Sequence, residues 1–169
     1  LRLLSYYHAI DLFGNVPFFT EENSVGSEGP EQVSRAWLWD WMVGECKELI
    51  EGSDLKDAKA TEYGRINKES VQMILAKLYL NAEVYTATDV TPGTPMWAEA
   101  KAACEEIYKL GYSICPDYAA LFRGDNGENE AARDELLFAV PYDAEDTQSY
   151  GGTGYLTFAA IAATDVNDE

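Results

Sequence analysis

The most regular pattern in this chain is an apolar stripe that follows residue 67. Apolar side chains recur there at steps of three and four residues: Val71, Ile74, Leu75, Leu78, Ala82 and Tyr85. That spacing places them on one face of an α-helix. Asn67 is a suitable N-cap, since its side-chain oxygen accepts a hydrogen bond from an otherwise unpaired first-turn N–H. Glu69 adds negative charge at the positive end of the helix dipole. The pattern predicts one helix that begins after Asn67 and reaches Tyr85.

A second stripe predicts another helix after a polar, proline-containing loop. Thr94 offers a capping hydroxyl, and Pro95 stands at the first helical position, where its missing N–H costs nothing. Gly111 fits the left-handed position that ends a helix. The apolar face that we expect for this helix is Trp97, Ala100, Cys104, Ile107 and Leu110.

The two helices together predict a hairpin whose large side chains pack against small ones. Small residues are frequent at 98–103, and they let another helix approach closely. Such pairing is typical of tetratricopeptide-type repeats, although no second copy recurs at a fixed period. We expect Trp97, Ile107 and the stripe at 71–78 to lie in the core.

Other segments predict further helices and one strand. Residues 1–13 and 34–50 carry helical patterns, the latter capped by Ser34, and residues 16–19 form a short extended run. The stripe of the second of these helices is Trp37, Leu38, Trp41, Met42, Leu49 and Ile50. Trp39 lies off that stripe, and we expect it to pack against a neighbouring segment.

The C-terminal third is less regular. Asp117 follows Pro116 and predicts the cap of a short helical turn, after which residues 125–134 are acidic and predict a loop. The compact apolar run at 136–140, followed by proline, is the clearest strand signal in the chain. The glycine-rich turn at 151–154 has no following lysine and an acidic neighbourhood, so phosphate binding is disfavoured.

Composition narrows the classes of function. The chain has 169 residues, 47% of them hydrophobic, which suffices for one domain with its own core. Its 12 basic and 30 acidic residues give a formal net charge of −18, which would repel a polyanion, so nucleic acid is not expected as a partner. No apolar run is long enough to cross a bilayer.

The cysteines and the single histidine do not indicate a metal or catalytic centre. Cys46, Cys104 and Cys115 have no metal-type pair spacing, and we interpret them as small buried apolar side chains. We therefore predict no metal, no cofactor and no catalytic residue. With 30 acidic residues, some carboxylate pair will always meet the spacing of a glycosidase, so the sequence nominates none.

Taken in order, several segments resemble the SusD/RagB family of outer-membrane glycan-binding lipoproteins. They cover most of the chain and are specific in combination: YYHAIDLFGNVPFFTEE at 6–22, SRAWLWDWMVGECKELI at 34–50, YGRINKESVQMILAKLYLNAEVYT at 63–86, TPMWAEAKAACEEI at 94–107, and ELLFAVPYD at 135–143, followed by GGTG at 151–154. One departure is Trp37, which replaces the acidic residue that usually completes a capping box with the cap at Ser34.

The resemblance implies a mainly α fold of tetratricopeptide-like helical hairpins, an α-α superhelix, with a short β segment and irregular loops. We expect residues 1–169 to be a single SusD-like domain fragment, with a helical scaffold at 1–122 and the start of an irregular loop region at 123–169. Both ends of the sequence interrupt recognisable patterns, so we expect an internal piece of a longer protein. The signal peptide and the lipid-bearing cysteine would then lie outside it.

The function that the resemblance implies is non-catalytic capture of oligosaccharide at the cell surface. Family members are lipid-anchored in the outer membrane and deliver oligosaccharide to a SusC-like TonB-dependent transporter. Aromatic rings stack on the C–H faces of sugars, and the loop after Pro141 is rich in tyrosine. Tyr150 and Tyr155 are the ligand-binding candidates, with packing of this loop onto the scaffold as the alternative. The alternative function is a helical-repeat protein–protein interaction module without a sugar ligand, and an enzyme is a third hypothesis.

Overall fold

Helices dominate the part of the chain that the structure, a computed structural model, describes: residues 1–24, 26, 29–52, 55–57 and 60–142. The elements within these residues are α1 (Arg2–Phe13), β1 (Val16–Pro17), β2 (Gln32–Val33), α2 (Arg35–Gly52), α3 (Lys68–Leu80), α4 (Ala82–Tyr85), α5 (Trp97–Tyr108), a 3-10 helix (Tyr118–Phe122) and α6 (Glu130–Glu135). The predicted mainly helical fold is confirmed.

The chain divides into two units at residue 140. Leu1–Ala139 forms the first unit and contains every helix and strand named above. Val140–Glu169 forms the second, of which the structure describes residues 140–142. Among the described helices, none combines the length and the apolar character that a bilayer-spanning helix requires.

Helix α3 lies at the centre of the first unit, in contact with α2, α4 and α5. Val71 and Leu78 are 1% and 0% exposed, and the core that they join runs from α1 to α5. The α5 side of this contact is made by Ala100 and Ala103, whose small side chains let the two backbones approach closely. Gln72 Nε2 also donates to the Ala103 carbonyl at 3.3 Å. The predicted packing of large onto small residues is confirmed.

The start of α3 follows the sequence prediction, but its end does not. Asn67 Oδ1 accepts from Ser70 N at 2.8 Å, so the predicted N-cap is confirmed. The prediction of one helix through Tyr85 is wrong, because α3 ends at Leu80 and α4 begins at Ala82. Asn81 between them has φ −98° and ψ 14°.

A tryptophan explains where α3 ends. In a continuous helix the Leu78 carbonyl would accept from the N–H four residues later. Here it accepts from Trp39 Nε1 on α2, at 2.9 Å in a buried setting. The indole thus satisfies a carbonyl that the helix end leaves without a partner. Trp39 is only 7% exposed, so its predicted structural role is confirmed.

Helix α2 begins as predicted, but its buried face matches the predicted stripe only in part. Ser34 Oγ accepts from Trp37 N at 3.2 Å, which confirms Ser34 as a cap without a capping box. Trp37 is 46% exposed, although it was predicted on the apolar stripe. The buried residues of α2 are Leu38 and Met42, as predicted, together with Trp39, Val43 and Cys46, which lie off the predicted stripe.

Helix α5 differs from its prediction in both its start and its buried face. Its N-cap is Met96, without a side-chain cap, while the Thr94 N–H donates to Thr86 Oγ1 at 2.8 Å. The capping role predicted for Thr94 is therefore wrong. Trp97 is 62% exposed, so its predicted place in the core is also wrong, whereas Ile107, at 6%, confirms its own. The alanines of α5, and not Trp97, pack against α3.

Gly111 and two of the three cysteines match their predictions, whereas Cys104 does not. Gly111 has φ 78°, the left-handed conformation predicted for it after α5. The three thiols are free, and Cys46 and Cys115 are buried as predicted. Cys104 is exposed, because it shares the outward face of α5 with Trp97. Burial raises the pKa of the Cys46 thiol to about 12, with Glu45 adding to the shift.

Helix α1 and the short sheet close the other side of α2. The predicted helix is confirmed as α1, and part of the predicted extended run forms β1, which pairs antiparallel with β2 through Val16 and Val33. Phe18 follows β1, and its ring centroid lies 5.0 Å from that of Tyr6 and 4.8 Å from that of Trp41. These aromatic contacts hold the β1 segment between the two helices.

The C-terminal part of the first unit differs most from the sequence prediction. The predicted helical turn is confirmed as the 3-10 helix, with Asp117 Oδ1 accepting from Ala119 N at 3.1 Å. The predicted loop at 125–134 contains α6, which Asn129 caps by accepting from Ala132 N at 3.2 Å. Residues 136–140 form no strand, and the short β segment of the fold is the β1–β2 pair.

The indole of Trp39 gives the first testable prediction. Trp39→Phe keeps a ring in the core but leaves the buried Leu78 carbonyl without its donor. We expect the free energy of unfolding to fall by about 1–3 kcal/mol, measured by urea denaturation. Trp97→Phe, at the exposed start of α5, is the matched control and should change stability little. Equal effects of the two substitutions would contradict this account of the α3 terminus.

Candidate functional site

A cleft of about 500 Å³ lies beside the N-terminus of α3. The loop at 61–65 and Asn67 form one wall, and α6 with the extended segment 136–139 forms the other. Glu128 and Tyr112 complete the lining. All of these residues belong to the first unit. Sites for small molecules have volumes in this range, so the cleft is the candidate site within the described residues.

Asn67 holds the two walls of the cleft together. Its side chain is 4% exposed, and its Oδ1 accepts from the backbone N and the hydroxyl of Ser70, at 2.8 and 2.6 Å. Its Nδ2 donates to the Leu137 carbonyl at 2.8 Å, and Ser70 Oγ lies 3.3 Å from the same oxygen. One amide therefore caps α3 and anchors the segment 136–139. Side chains, and not a neighbouring strand, satisfy the Leu137 carbonyl where the strand was predicted.

Tyr63 stands at the mouth of the cleft, and an arginine packs against its ring. The Arg133 guanidinium of α6 lies 4.9 Å from the ring centroid, a cation–π distance. Tyr63 nevertheless remains 41% exposed. The ring is thus both oriented and accessible.

The rim of the cleft is acidic. Glu62, Glu128, Glu130 and Asp134 supply carboxylates, against the guanidinium groups of Arg65 and Arg133. Arg65 Nε is paired with Glu62 at 3.3 Å. Among the residues that the structure describes, the side chains of Glu128, Glu130 and Asp134 make no hydrogen bond or ion pair. The rim therefore offers unengaged hydrogen-bond acceptors.

Tyr112 lies inside the cleft as a neutral phenol. Burial raises its pKa to about 12, and the carboxylates of Glu69 and Asp57 add to the shift. Its hydroxyl therefore stays protonated across the physiological pH range. Within the described residues, no group of three or more His, Cys, Asp or Glu side chains is arranged to hold a metal ion.

The structure does not test the two tyrosines that the sequence predicts as ligand contacts. Tyr150 and Tyr155 lie outside the described residues, so their role stays a prediction. Of the tyrosine-rich segment after Pro141, the structure describes Tyr142, which is 66% exposed. Sequence reasoning missed the cleft because its two walls come from segments far apart in the chain. The aromatic and arginine residues next to the Asn67 cap are the local signal that could have indicated it.

Comparison with known proteins tests the predicted resemblance. The chain is 33% identical over 159 residues, 92% of its length, to the starch-binding protein SusD of Bacteroides thetaiotaomicron. The resemblance of this chain to the SusD family is confirmed. The chain spans about a quarter (26%) of the length of SusD.

The fold is likewise similar to that of a solved relative. A SusD-like protein from Bacteroides fragilis aligns with a TM-score of 0.58 and 21% sequence identity, over 86% of this chain and 26% of the other. At that identity the comparison supports the fold, and the SusD-like helical architecture is shared. No protein-family model matches the chain.

The anchoring of the cleft wall by Asn67 gives a second prediction. Asn67→Ala removes both the α3 cap and the donor to Leu137, and should lower the free energy of unfolding by about 2 kcal/mol. Asn67→Ser keeps a capping oxygen but cannot reach Leu137, so about half that loss is expected. Both variants should speed hydrogen exchange at 136–139. If Asn67→Ser kept the stability and the hydrogen-exchange rates of the wild-type protein, the Leu137 contact would be unimportant.

Proposed function

We propose that this chain is part of a non-catalytic glycan-binding protein of the bacterial cell surface. The observation that carries the proposal is its similarity to SusD along 92% of its length, since SusD is by name a starch-binding protein. Tyr150 and Tyr155 remain the proposed ligand contacts in the second unit.

The physical character of the chain supports capture of a sugar. It contains 11 tyrosines and 4 tryptophans, residues that combine a flat apolar face with a polar edge. Its net charge of −18 opposes the binding of nucleic acid. The cleft beside α3 adds an accessible aromatic ring and unengaged carboxylates, groups that suit the C–H faces and hydroxyls of a sugar.

The proposal extends to an uptake system. As the family resemblance implies, the protein would be lipid-anchored at the outer membrane and would deliver oligosaccharide to a SusC-like TonB-dependent transporter. Co-purification of such a barrel with the tagged protein from outer-membrane extracts tests this part. Recovery of the protein from a soluble fraction, without a barrel, would refute it.

The second candidate function is a helical-repeat module that binds a protein and no sugar. The exposed side chains of Trp97 and Tyr108 on α5, at 62% and 76%, favour it, because exposed aromatics are typical of protein contacts. A measurement of sugar binding distinguishes the glycan-binding protein from the interaction module. Co-purification of a barrel partner, together with no measurable binding of any glycan, would favour the interaction module.

Glycan binding gives a third prediction. Isothermal titration of the natural protein that carries this chain, against a panel of polysaccharides, should give saturable binding without release of cleaved products. Tyr150→Ala and Tyr155→Ala should each weaken binding roughly tenfold, the effect of losing one stacking ring of about 1 kcal/mol or slightly more.

The control for these variants is Tyr118→Ala. Tyr118 is 74% exposed on the 3-10 helix, so its removal tests whether any surface tyrosine matters. The glycan affinity of Tyr118→Ala should match that of the wild-type protein. Absence of binding to every glycan in the panel would overturn the proposed function, and release of cleaved products would replace it with an enzymatic one.

A further inference from the structure

We propose that the cleft beside α3 binds one neutral sugar unit, with Tyr63 as its stacking surface and the acidic rim as its hydrogen-bond acceptor. This inference rests on the proposed function, because it supposes that the protein captures a glycan. It names Tyr63 as a ligand contact in addition to Tyr150 and Tyr155. It also specifies the chemical class of the glycan.

The Tyr63 ring is pre-organised for stacking. The Arg133 guanidinium, 4.9 Å from the ring centroid, restricts the ring and so lowers the side-chain entropy that is lost on binding. At 41% exposed, the side chain still offers an apolar surface to a ligand. The guanidinium already makes the cation–π contact of this ring, so the exposed part of the ring is available to a neutral C–H surface.

The polar groups of the cleft match hydroxyls. Ionised carboxylates only accept hydrogen bonds, so Glu130 and Asp134 require donors from the ligand. Vicinal hydroxyls of a sugar are such donors, and the charged acceptors strengthen the bonds. Asn67 already bonds Ser70 and Leu137, so the carboxylates of the rim are the acceptors that we assign to the ligand.

The charge of the cleft selects against acidic glycans. Glu62 and Arg65 pair with each other, which leaves three carboxylates of the lining against one arginine, Arg133. A uronate or sulfate group would meet net negative charge here and across the whole chain, whose net charge is −18. Like-charge contact of this kind is unfavourable and disfavours the wrong partner. Neutral sugars avoid this repulsion.

The test uses titration calorimetry on the natural protein that carries this chain. The neutral probes are maltoheptaose, dextran and inulin, the anionic probe is polygalacturonate, and hexalysine serves as a cationic probe. Tyr63→Ala should weaken binding of the best neutral probe about tenfold, while Tyr63→Phe, which keeps the ring, should stay within about twofold. Tyr108→Ala, at an exposed site on α5, is the aromatic control.

The rim is tested by an isosteric pair of substitutions. Glu130→Gln removes a first-turn carboxylate of α6, and Glu99→Gln removes the equivalent one of α5, away from the cleft. Only Glu130→Gln should weaken neutral-sugar binding, by about threefold or more. Polygalacturonate should bind at least about tenfold more weakly than the neutral probe at about 0.02 M salt, with a smaller difference at about 0.5 M because salt screens the repulsion.

The outcomes separate this inference from the proposed function. If a neutral glycan binds but Tyr63→Ala and Glu130→Gln leave its affinity unchanged, the cleft inference is overturned and the proposed function stands. If polygalacturonate binds as tightly as neutral probes, the assignment to neutral sugars is wrong. If only hexalysine responds to Tyr63→Ala, the cleft is a site for basic peptide. If no glycan binds at all, the inference and the proposed function fail together.

Discussion

The burial of α3 is the constraint on which the rest of the first unit depends. This helix contacts α2, α4 and α5, and its Leu78 side chain is fully buried. A helix surrounded in this way has few routes by which its terminal backbone groups can reach water, so each end needs a partner from the protein. Asn67 supplies one at the N-terminus and Trp39 supplies one at the C-terminus. Two side chains thus fix both ends of the central helix.

The cleft follows from the same arrangement. Because the amide of Asn67 caps α3 and also binds the Leu137 carbonyl, the segment 136–139 is drawn to the helix N-terminus. Helix α6 precedes that segment and brings Arg133 over Tyr63. The walls of the cleft are therefore positioned by the core and not by the ligand. In the binding proposed above, recognition falls to side chains on the rim, which can vary without disturbing α3.

Local signals account for what the sequence could predict. The Asn67 cap and the α3 stripe were evident because residues close in sequence determine them. The face of α5 was not, since Trp97 and Ala103 both belong to stripes with helical spacing, and only contact with α3 favours the smaller residues. The strand predicted at 136–140 does not form, and the contact that the Leu137 carbonyl makes instead, with a residue 70 positions earlier, has no local signal in the sequence. The cleft could not be predicted for the same reason, because Tyr63 and Arg133 come into contact only in the folded protein.

The distribution of tryptophan has a consequence for spectroscopy. Trp37, Trp39 and Trp41 all lie on α2, and the fourth, Trp97, lies at the start of α5. None of them lines the cleft, whose aromatic residues are Tyr63, Tyr112 and Phe138. Intrinsic tryptophan emission therefore reports on the helical core around α2 and on the exposed start of α5. A ligand that occupies the cleft would leave this emission nearly unchanged, while unfolding would change it strongly.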